Sequence, residues 1–331
     1  VRDGVVVYEL DGKTYRTPIK TIRGDYRDSQ GITRNRVRHW EKLDFKPRPD
    51  DVFQERLYAI QWIRKDTVDQ PRHETFFLSP TQADQDRERK IEEVVATKIG
   101  RWQNEGLVPD MEIEPGGPPR YQGKSLVVNL GWRYWHHLFN PRQLLMQATA
   151  VKFWKQSSVA PLGMLNVAKM ADFNAKLCRW KPSQGGGLGG PVGVFSNQAL
   201  NAFYNFAARS WAGFGPSSFK LAQEELPPTE KVVQSLTADS PVQFCEYWIT
   251  DPPYANAVMY HEITDFFIAW LRKDPPAPFN DWTWDSRRAL AITGSGNNFR
   301  RSMANAYGAM TSYMPDNGLQ CVMFTHQDTA V

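Results

Sequence analysis

Four consecutive residues, Asp251-Pro252-Pro253-Tyr254, set a carboxylate, two rigid carbonyl acceptors and an aromatic face side by side. Proline fixes φ and carries no N–H, so such a loop presents acceptors in a stiff arrangement. An exocyclic amino group needs two acceptors, and a planar base needs a surface to stack on. Enzymes that modify a base flip it out of the helix and hold it by contacts of this kind. The competing reading is a plain turn with a capping Asp, since a tetrapeptide also arises by chance.

The flanking sequence decides between the two. Phe244-Cys245-Glu246-Tyr247-Trp248-Ile249-Thr250 has the length and aromatic content of a strand. Beyond the tetrapeptide, Ile263, Phe266, Phe267, Trp270 and Leu271 fall on one helical stripe. Glu262 and Asp265 lie in its first turns and Arg272 and Lys273 at its end, as the helix dipole favours. Pro275 and Pro276 stop it. The order is strand, rigid polar tip, helix. In an open α/β sheet that tip lies at the carboxyl edge, where ligands bind.

Thr250-Asp251-Pro252-Pro253-Tyr254 resembles the catalytic motif of amino-group DNA methyltransferases that use S-adenosylmethionine. The longer run Asp251-Pro252-Pro253-Tyr254-Ala255-Asn256-Ala257-Val258-Met259-Tyr260-His261-Glu262-Ile263-Thr264-Asp265-Phe266-Phe267 is similar to large adenine-specific DNA methylases that carry a zinc ribbon, often found with anti-phage defence genes. Phe139-Asn140-Pro141-Arg142-Gln143-Leu144-Leu145, Trp282-Thr283-Trp284-Asp285-Ser286-Arg287-Arg288 and Val322-Met323-Phe324-Thr325-His326 add to the resemblance. It covers most of the chain from Phe53 onward, more weakly in the first part. It implies an α/β fold: an incomplete Rossmann-like, S-adenosylmethionine-dependent methyltransferase sheet with an accessory β-hairpin and helical region. The implied reaction moves a methyl group from S-adenosylmethionine to the amino group of adenine in DNA. Asp251 and Pro252 would bind the target amine, Pro253 would complete the motif, and Tyr254 would stack on the flipped base. DNA, and other subunits of a restriction-modification or phage-defence system, are the implied partners, in the cytoplasm. The same tetrapeptide would serve the amino group of cytosine, or RNA. A non-catalytic DNA-recognition subunit with a vestigial pocket is the reading from a different class.

Cofactor contacts are less legible. Ile292-Thr293-Gly294-Ser295-Gly296 resembles the glycine-rich cofactor motif of methyltransferases, with Ile in place of Phe. Too little chain separates it from the catalytic tip to supply the intervening strands, so it reads first as a substrate-side loop. Gly294, Gly296 and Asp239 stand beside Asp251 as cofactor-binding candidates. The resemblance implies that the principal glycine loop and the zinc ribbon lie upstream of Val1, so the chain is expected to bind S-adenosylmethionine poorly alone. Gly185-Gly186-Gly187-Leu188-Gly189-Gly190 follows a helical stretch instead of a strand and reads as a linker, not a nucleotide loop. His261-Glu262-Ile263-Thr264-Asp265 lacks the second His of a zinc-protease helix. Adjacent His136 and His137 point in different directions on one element, which favours surface or packing roles over shared metal ligation. No metal is required by these residues.

With 331 residues, 41% hydrophobic and 13% aromatic, the chain can build a substantial core and two domains, which excludes wholesale disorder. No run is long enough to span a bilayer, and no signal peptide precedes the first strand. Cys178, Cys245 and Cys321 are far apart and form no CxxC pair, so reduced thiols are the simplest reading. Net charge is +4, yet residues 13–48 carry eleven Lys/Arg against four Asp/Glu, leaving the remainder at −3. This basic stretch suits a polyanion contacted through one face, with Arg34, Arg36 and Arg38 as candidate DNA contacts. Tyr260 is a further DNA candidate. Trp40, Trp132, Tyr134 and Trp135, with Arg133 and Arg142, could stack on or clamp nucleic acid if exposed.

Asp11-Gly12 between β-rich runs predicts a hairpin over Gly4–Arg16. A strand is expected over Phe53–Ile63 and a helix over Gln82–Asn104, with Ile91, Val94, Val95, Ile99 and Trp102 on one face. Four prolines and two glycines between Pro109 and Pro119 read as a linker. The expected domains are therefore 1–108, a β-rich and helical accessory region; 109–120, a linker; and 121–331, a helical segment followed by the α/β catalytic part. In that last part helices are expected from Asn140 to Trp154, Leu162 to Trp180, Ser196 to Trp211 and Phe299 to Tyr313. Short strands are expected at Val232–Leu236, Phe244–Thr250 and Leu319–Thr325.

Overall fold

Asp11 and Gly12 both take left-handed backbone, with φ of 50° and 72°. That is the conformation a two-residue type I′ hairpin turn demands. It folds β1 (Val5–Leu10) onto β2 (Lys13–Pro18) in an antiparallel register that sets Tyr8 opposite Tyr15. A single helical turn, α1 (Ile19–Ile22), leads into a second ribbon, β3 (Asp25–Arg27) with β4 (Thr33–Asn35). β5 (Ile60–Ile63) pairs antiparallel with β6 (Thr75–Leu78). The computed structural model describes residues 4–70, 73–114, 120–121, 124–125, 130–178, 180–181, 190–194, 207–209, 234–252, 260–284, 292 and 296–323. Two compact units divide the chain, Val1–Ser218 and Phe219–Val331.

Three helices build the core of the first unit. α2 (Gln82–Asn104) starts where Thr81 and Asp84 close a capping box, which satisfies two of the N–H groups a helix start leaves free. Two-residue strands β7 (Arg120–Tyr121) and β8 (Lys124–Ser125) follow. α3 (Pro141–Lys155) has the expected Asn140 cap, reciprocated by Gln143, with proline in its first turn. α4 (Ala160–Phe173) packs on α3, and α3 on α2. Val95, Ile99 and Trp102 of α2, Leu144, Ala148 and Val151 of α3, and Val167 and Met170 of α4 are buried between them. β9 (Trp180–Lys181) and β10 (Gly190–Pro191) form a last short pair.

Three segments of this unit depart from expectation. The stretch 109–114, expected as the start of a linker, lies within the first unit and is tied to it. Met111 and Ile113 are buried, and backbone bonds from Ile113 N to Arg133 O (2.7 Å) and from Trp135 N to Met111 O (3.1 Å) stitch this stretch to the segment before α3. The strand expected over Phe53–Ile63 is formed only at Ile60–Ile63, because its partner β6 is four residues long. α4 ends at Phe173, not Trp180: Asn174 leaves helical geometry, and Lys176 N turns to donate to Leu138 O at 2.7 Å. Of the helix expected at Ser196–Trp211 only 207–209 are described, and they are not helical; of the glycine loop expected at Gln184–Gly190 only Gly190 is described, in β10.

In the second unit, residues 234–246 are irregular, so the strand expected at Val232–Leu236 is not formed in its described part. β11 (Tyr247–Thr250) pairs in parallel with β12 (Leu319–Val322), with Ile249 opposite Cys321. Between them lie α5 (Tyr260–Leu271) and α6 (Gly296–Ser312). On α5 the expected apolar stripe buries Phe266 and Trp270; on α6 it buries Phe299, Ala306 and Met310. Asp274, with φ of 55°, turns the chain after α5, ahead of Pro275 and Pro276. Parallel strands joined through helices make this unit α/β. Among the described residues each sheet has two strands, and only β11–β12 is parallel. No helix among them is long and apolar enough to cross a membrane.

Candidate functional site

The end of β11 is fixed from two sides. Met323 N donates to Thr250 O at 2.8 Å, extending the parallel ladder to the last strand residue. The Thr250 hydroxyl comes within 3.5 Å of the Tyr307 hydroxyl on α6. Gln320 of β12 donates through its side-chain amide to Thr311 Oγ1 (2.8 Å) and to Tyr307 O (3.2 Å), which ties α6 to the same strand pair. The chain therefore leaves the sheet at a pinned residue. Pro252 is buried and acts as a foot, while Asp251 is exposed. The Asp251 carboxylate makes no hydrogen bond or ion pair in the described structure. A charged acceptor held at a strand end and left unbound is free to accept from a ligand.

Pro253 and Tyr254 lie outside the described residues, so the stacking face of the motif is not placed. The backbone of Tyr260 opens α5. Tyr307 was not singled out from sequence. Its signal is a hydroxyl-bearing residue next to buried Ala306 on a helix that follows the tip.

Of the other cofactor candidates, Asp239 and Gly296 are among the described residues. Asp239 lies in an exposed turn, where its carboxylate accepts only from Ser240 Oγ, at 3.4 Å. Gly296 starts α6 with φ of 55°, and a Cβ there would meet nothing within 4 Å. Gly294 is outside the described residues.

The basic candidates belong to the first unit and differ in kind. Arg34 pairs with Asp28 at 3.0 Å. Arg36 is exposed and has no carboxylate partner among the described residues. Arg38 is committed internally: its guanidinium donates to both oxygens of Asp51 (2.7 and 2.9 Å) and to Asp44 (2.5 Å). The hydrogen bond to Asp51, ahead of the charges of Asp44 and Asp51, holds it more firmly protonated than an ordinary arginine. Arg38 therefore organises the loop instead of offering a phosphate contact.

Three of the four aromatic candidates are core, and Tyr134 is half-buried. Trp40, Trp132 and Trp135 are buried, Arg133 pairs with Glu112, and Arg142 pairs with Glu88. Trp40 and Trp132 flank Lys176, whose Nζ lies 5.0 and 5.2 Å from their ring centroids. That ammonium is 2.5 Å from Glu55 Oε1, an ion pair by distance though not a directed hydrogen bond. His136 and His137 pack at 4.3 Å between ring centroids. His137 Nε2 donates to Glu41 O (3.0 Å), and its Nδ1 accepts from the amides of Arg133 (3.1 Å) and Tyr134 (3.3 Å). His136 Nε2 donates to Asp44 O at 3.2 Å. Burial holds His136 down to about 4 and His137 well below the usual range, so both are neutral. Among the described residues no group of three His, Cys, Asp or Glu side chains is arranged to hold a metal, and the three cysteines are free thiols.

The chain was compared with protein-family models, with curated proteins and with solved structures, and none of the three comparisons returns a match.

Proposed function

We propose that this chain carries the catalytic tip of a DNA methyltransferase acting on the exocyclic amino group of adenine. One observation supports the reading above the others: Asp251-Pro252 follows the pinned carboxyl end of a parallel strand, its carboxylate exposed and unbound, with a helix after it. This is the edge of an α/β sheet where ligands bind. A Rossmann-like arrangement of the whole sheet is part of the same proposal.

The amine nitrogen of adenine has its lone pair delocalised into the ring and is a poor nucleophile until its two N–H groups are held. The Asp251 carboxylate would accept from one and the Pro252 carbonyl from the other. Both acceptors are preset by the strand end and the proline ring, so little reorganisation accompanies reaction. Holding both protons to one side directs the developing lone pair to the other. The carboxylate also stabilises the positive charge that grows on nitrogen and is placed to take its proton. S-adenosylmethionine, when bound, supplies the methyl group. Tyr254 is assigned the stacking role by the sequence motif alone.

The test is transfer of radiolabelled methyl groups to DNA, followed by digestion and separation of nucleosides. Label in N6-methyldeoxyadenosine is the expected result. Asp251→Ala should lower the rate by about 10²–10³, the scale for removing one aimed polar group, with the melting temperature unchanged. Near-normal turnover by the variant would remove Asp251 from the mechanism. Label in cytosine or RNA would move the same geometry to a different substrate.

A further inference from the structure

The first basic stretch forms a single braced platform. Ile19 N donates to Gly4 O (2.8 Å), which seats α1 at the base of the β1–β2 ribbon. Asn35 then ties the second ribbon down. Its amide donates to Arg23 O (3.0 Å) and Asp25 Oδ1 (2.6 Å), and its carbonyl accepts from Val37 N (2.8 Å). Arg36 N donates to Gly24 O at 3.0 Å. On this framework Lys13, Arg16, Lys20, Arg23, Arg27 and Arg36 are all exposed, and none has a carboxylate partner among the described residues. The acidic residues between them are engaged: Asp28 accepts from Arg34 and two backbone amides, and Asp25 from Asn35.

We infer that this ribbon–turn–ribbon platform is a duplex-DNA backbone site, with these six cations as its phosphate contacts. Exposed, unpaired cations on a rigid scaffold meet phosphates at little desolvation or ordering cost and release condensed counterions when they do. The two-stranded ribbons have the width a major groove admits. Glu9 and Asp11 near the β1–β2 turn repel phosphate and make Lys13, beside that turn, the weakest of the six contacts, so binding is strongest along the ribbon base and α1. Tyr8 and Tyr15 stack on each other at 5.4 Å and 13°, which occupies ring faces a single strand would use. α1 is one turn long, too short to lie in a membrane interface as an amphipathic helix.

The choice of DNA as ligand rests on the proposed function, so the test separates the two. Binding of the full chain carrying Asp251→Ala to a fluorescent duplex is followed by anisotropy between about 50 and 200 mM salt. Replacing Arg16, Lys20, Arg23 and Arg27 with Gln should lower the slope of log K against log salt by about 0.9 for each phosphate no longer neutralised, roughly 3 to 4 in all. Arg36→Gln and Arg23→Gln alone, which leave the fold least disturbed, should each lower it by about 0.9. Arg38→Gln, which removes a cation from an internal pair, should not change the slope if the protein stays folded. An unchanged slope in the folded variants overturns the platform while leaving methyl transfer by the wild-type chain to stand or fall separately. Tighter binding to single strands, or to phosphatidylserine vesicles in place of duplex, also overturns it.

Discussion

The paired histidines make stability depend on pH in a window where few other groups titrate. His136 and His137 are neutral in the fold, and His137 is locked so: its Nδ1 already faces two backbone N–H groups, so a proton there would point at donors. In the unfolded chain each titrates near 6.5. The folded value of His136 is lower, about 4, chiefly because burial penalises the cation, with the charge of Lys176 adding to it. A depressed folded value gives stability that is complete above the unfolded value and is lost as pH falls toward the folded one. At about 1.4 kcal/mol for each pKa unit, His136 accounts for about 3 kcal/mol lost between pH 6.5 and 4, and His137 acts in the same direction. Within that window the slope from His136 is about 1 kcal/mol per pH unit, and His137 steepens it. The carboxylates with depressed values, such as Asp51, lose their contribution only at lower pH, whereas Asp172, raised by burial, works weakly in the opposite sense. Urea unfolding at a series of pH values, in the wild type and in His136→Gln, reads the effect directly. Gln retains a donor for Asp44 O but does not titrate, so its profile should be flatter by one histidine's share. A flat wild-type profile, or identical slopes in the two proteins, would refute the assignment of buried neutral imidazoles.

Two further substitutions probe the packing. Gly131, with φ of 85°, would place a Cβ 1.9 Å from the Arg38 carbonyl oxygen; Gly131→Ala should lose about 3–5 kcal/mol in thermal or urea unfolding, and a loss below about 1 kcal/mol would mean the Trp40 N to Gly131 O bond is not holding that approach. Gln147 is fully buried on α3, and among the described residues neither its amide nitrogen nor its oxygen has a hydrogen-bond partner; Gln147→Met keeps the volume and removes both orphans, so stability should hold or rise by about 1–3 kcal/mol, and a clear loss would place a bridging water there.

Where a local rule and its tertiary surroundings agree, the sequence is explicit. Asp11-Gly12 requires left-handed backbone and closes the hairpin; Asn140-Pro141 caps and opens α3; the β11 strand and the α5 stripe bracket the tip as expected. The misses share a cause, which is long-range contact overruling local preference. Proline and glycine around residue 110 signal a linker, yet Met111 and Ile113 bond to the Arg133–Trp135 backbone and are buried. Leu162 to Trp180 has helical composition, but Asn174 and Lys176 are drawn to the α3 side of the core. Arg38 is indistinguishable from Arg36 in sequence; only the folded loop shows that Asp44 and Asp51 claim it. For the candidate site, type and order were legible, whereas the Thr250–Tyr307 contact depends on how α6 lies on the strand pair.

The segment from Arg38 to Asp51 has no regular secondary structure, and it is held by side chains from far along the chain. His136, His137 and Gln103 bond its carbonyls across separations of 92, 96 and 61 residues. Closing loops of that size costs chain entropy before any of these bonds can offset it, and nothing local pre-forms the segment. Its order is therefore borrowed from the helical core and arrives after it. In kinetic terms it belongs to the late side of the folding barrier: weakening its anchors shortens the lifetime of the native state while leaving the speed of assembly nearly unchanged.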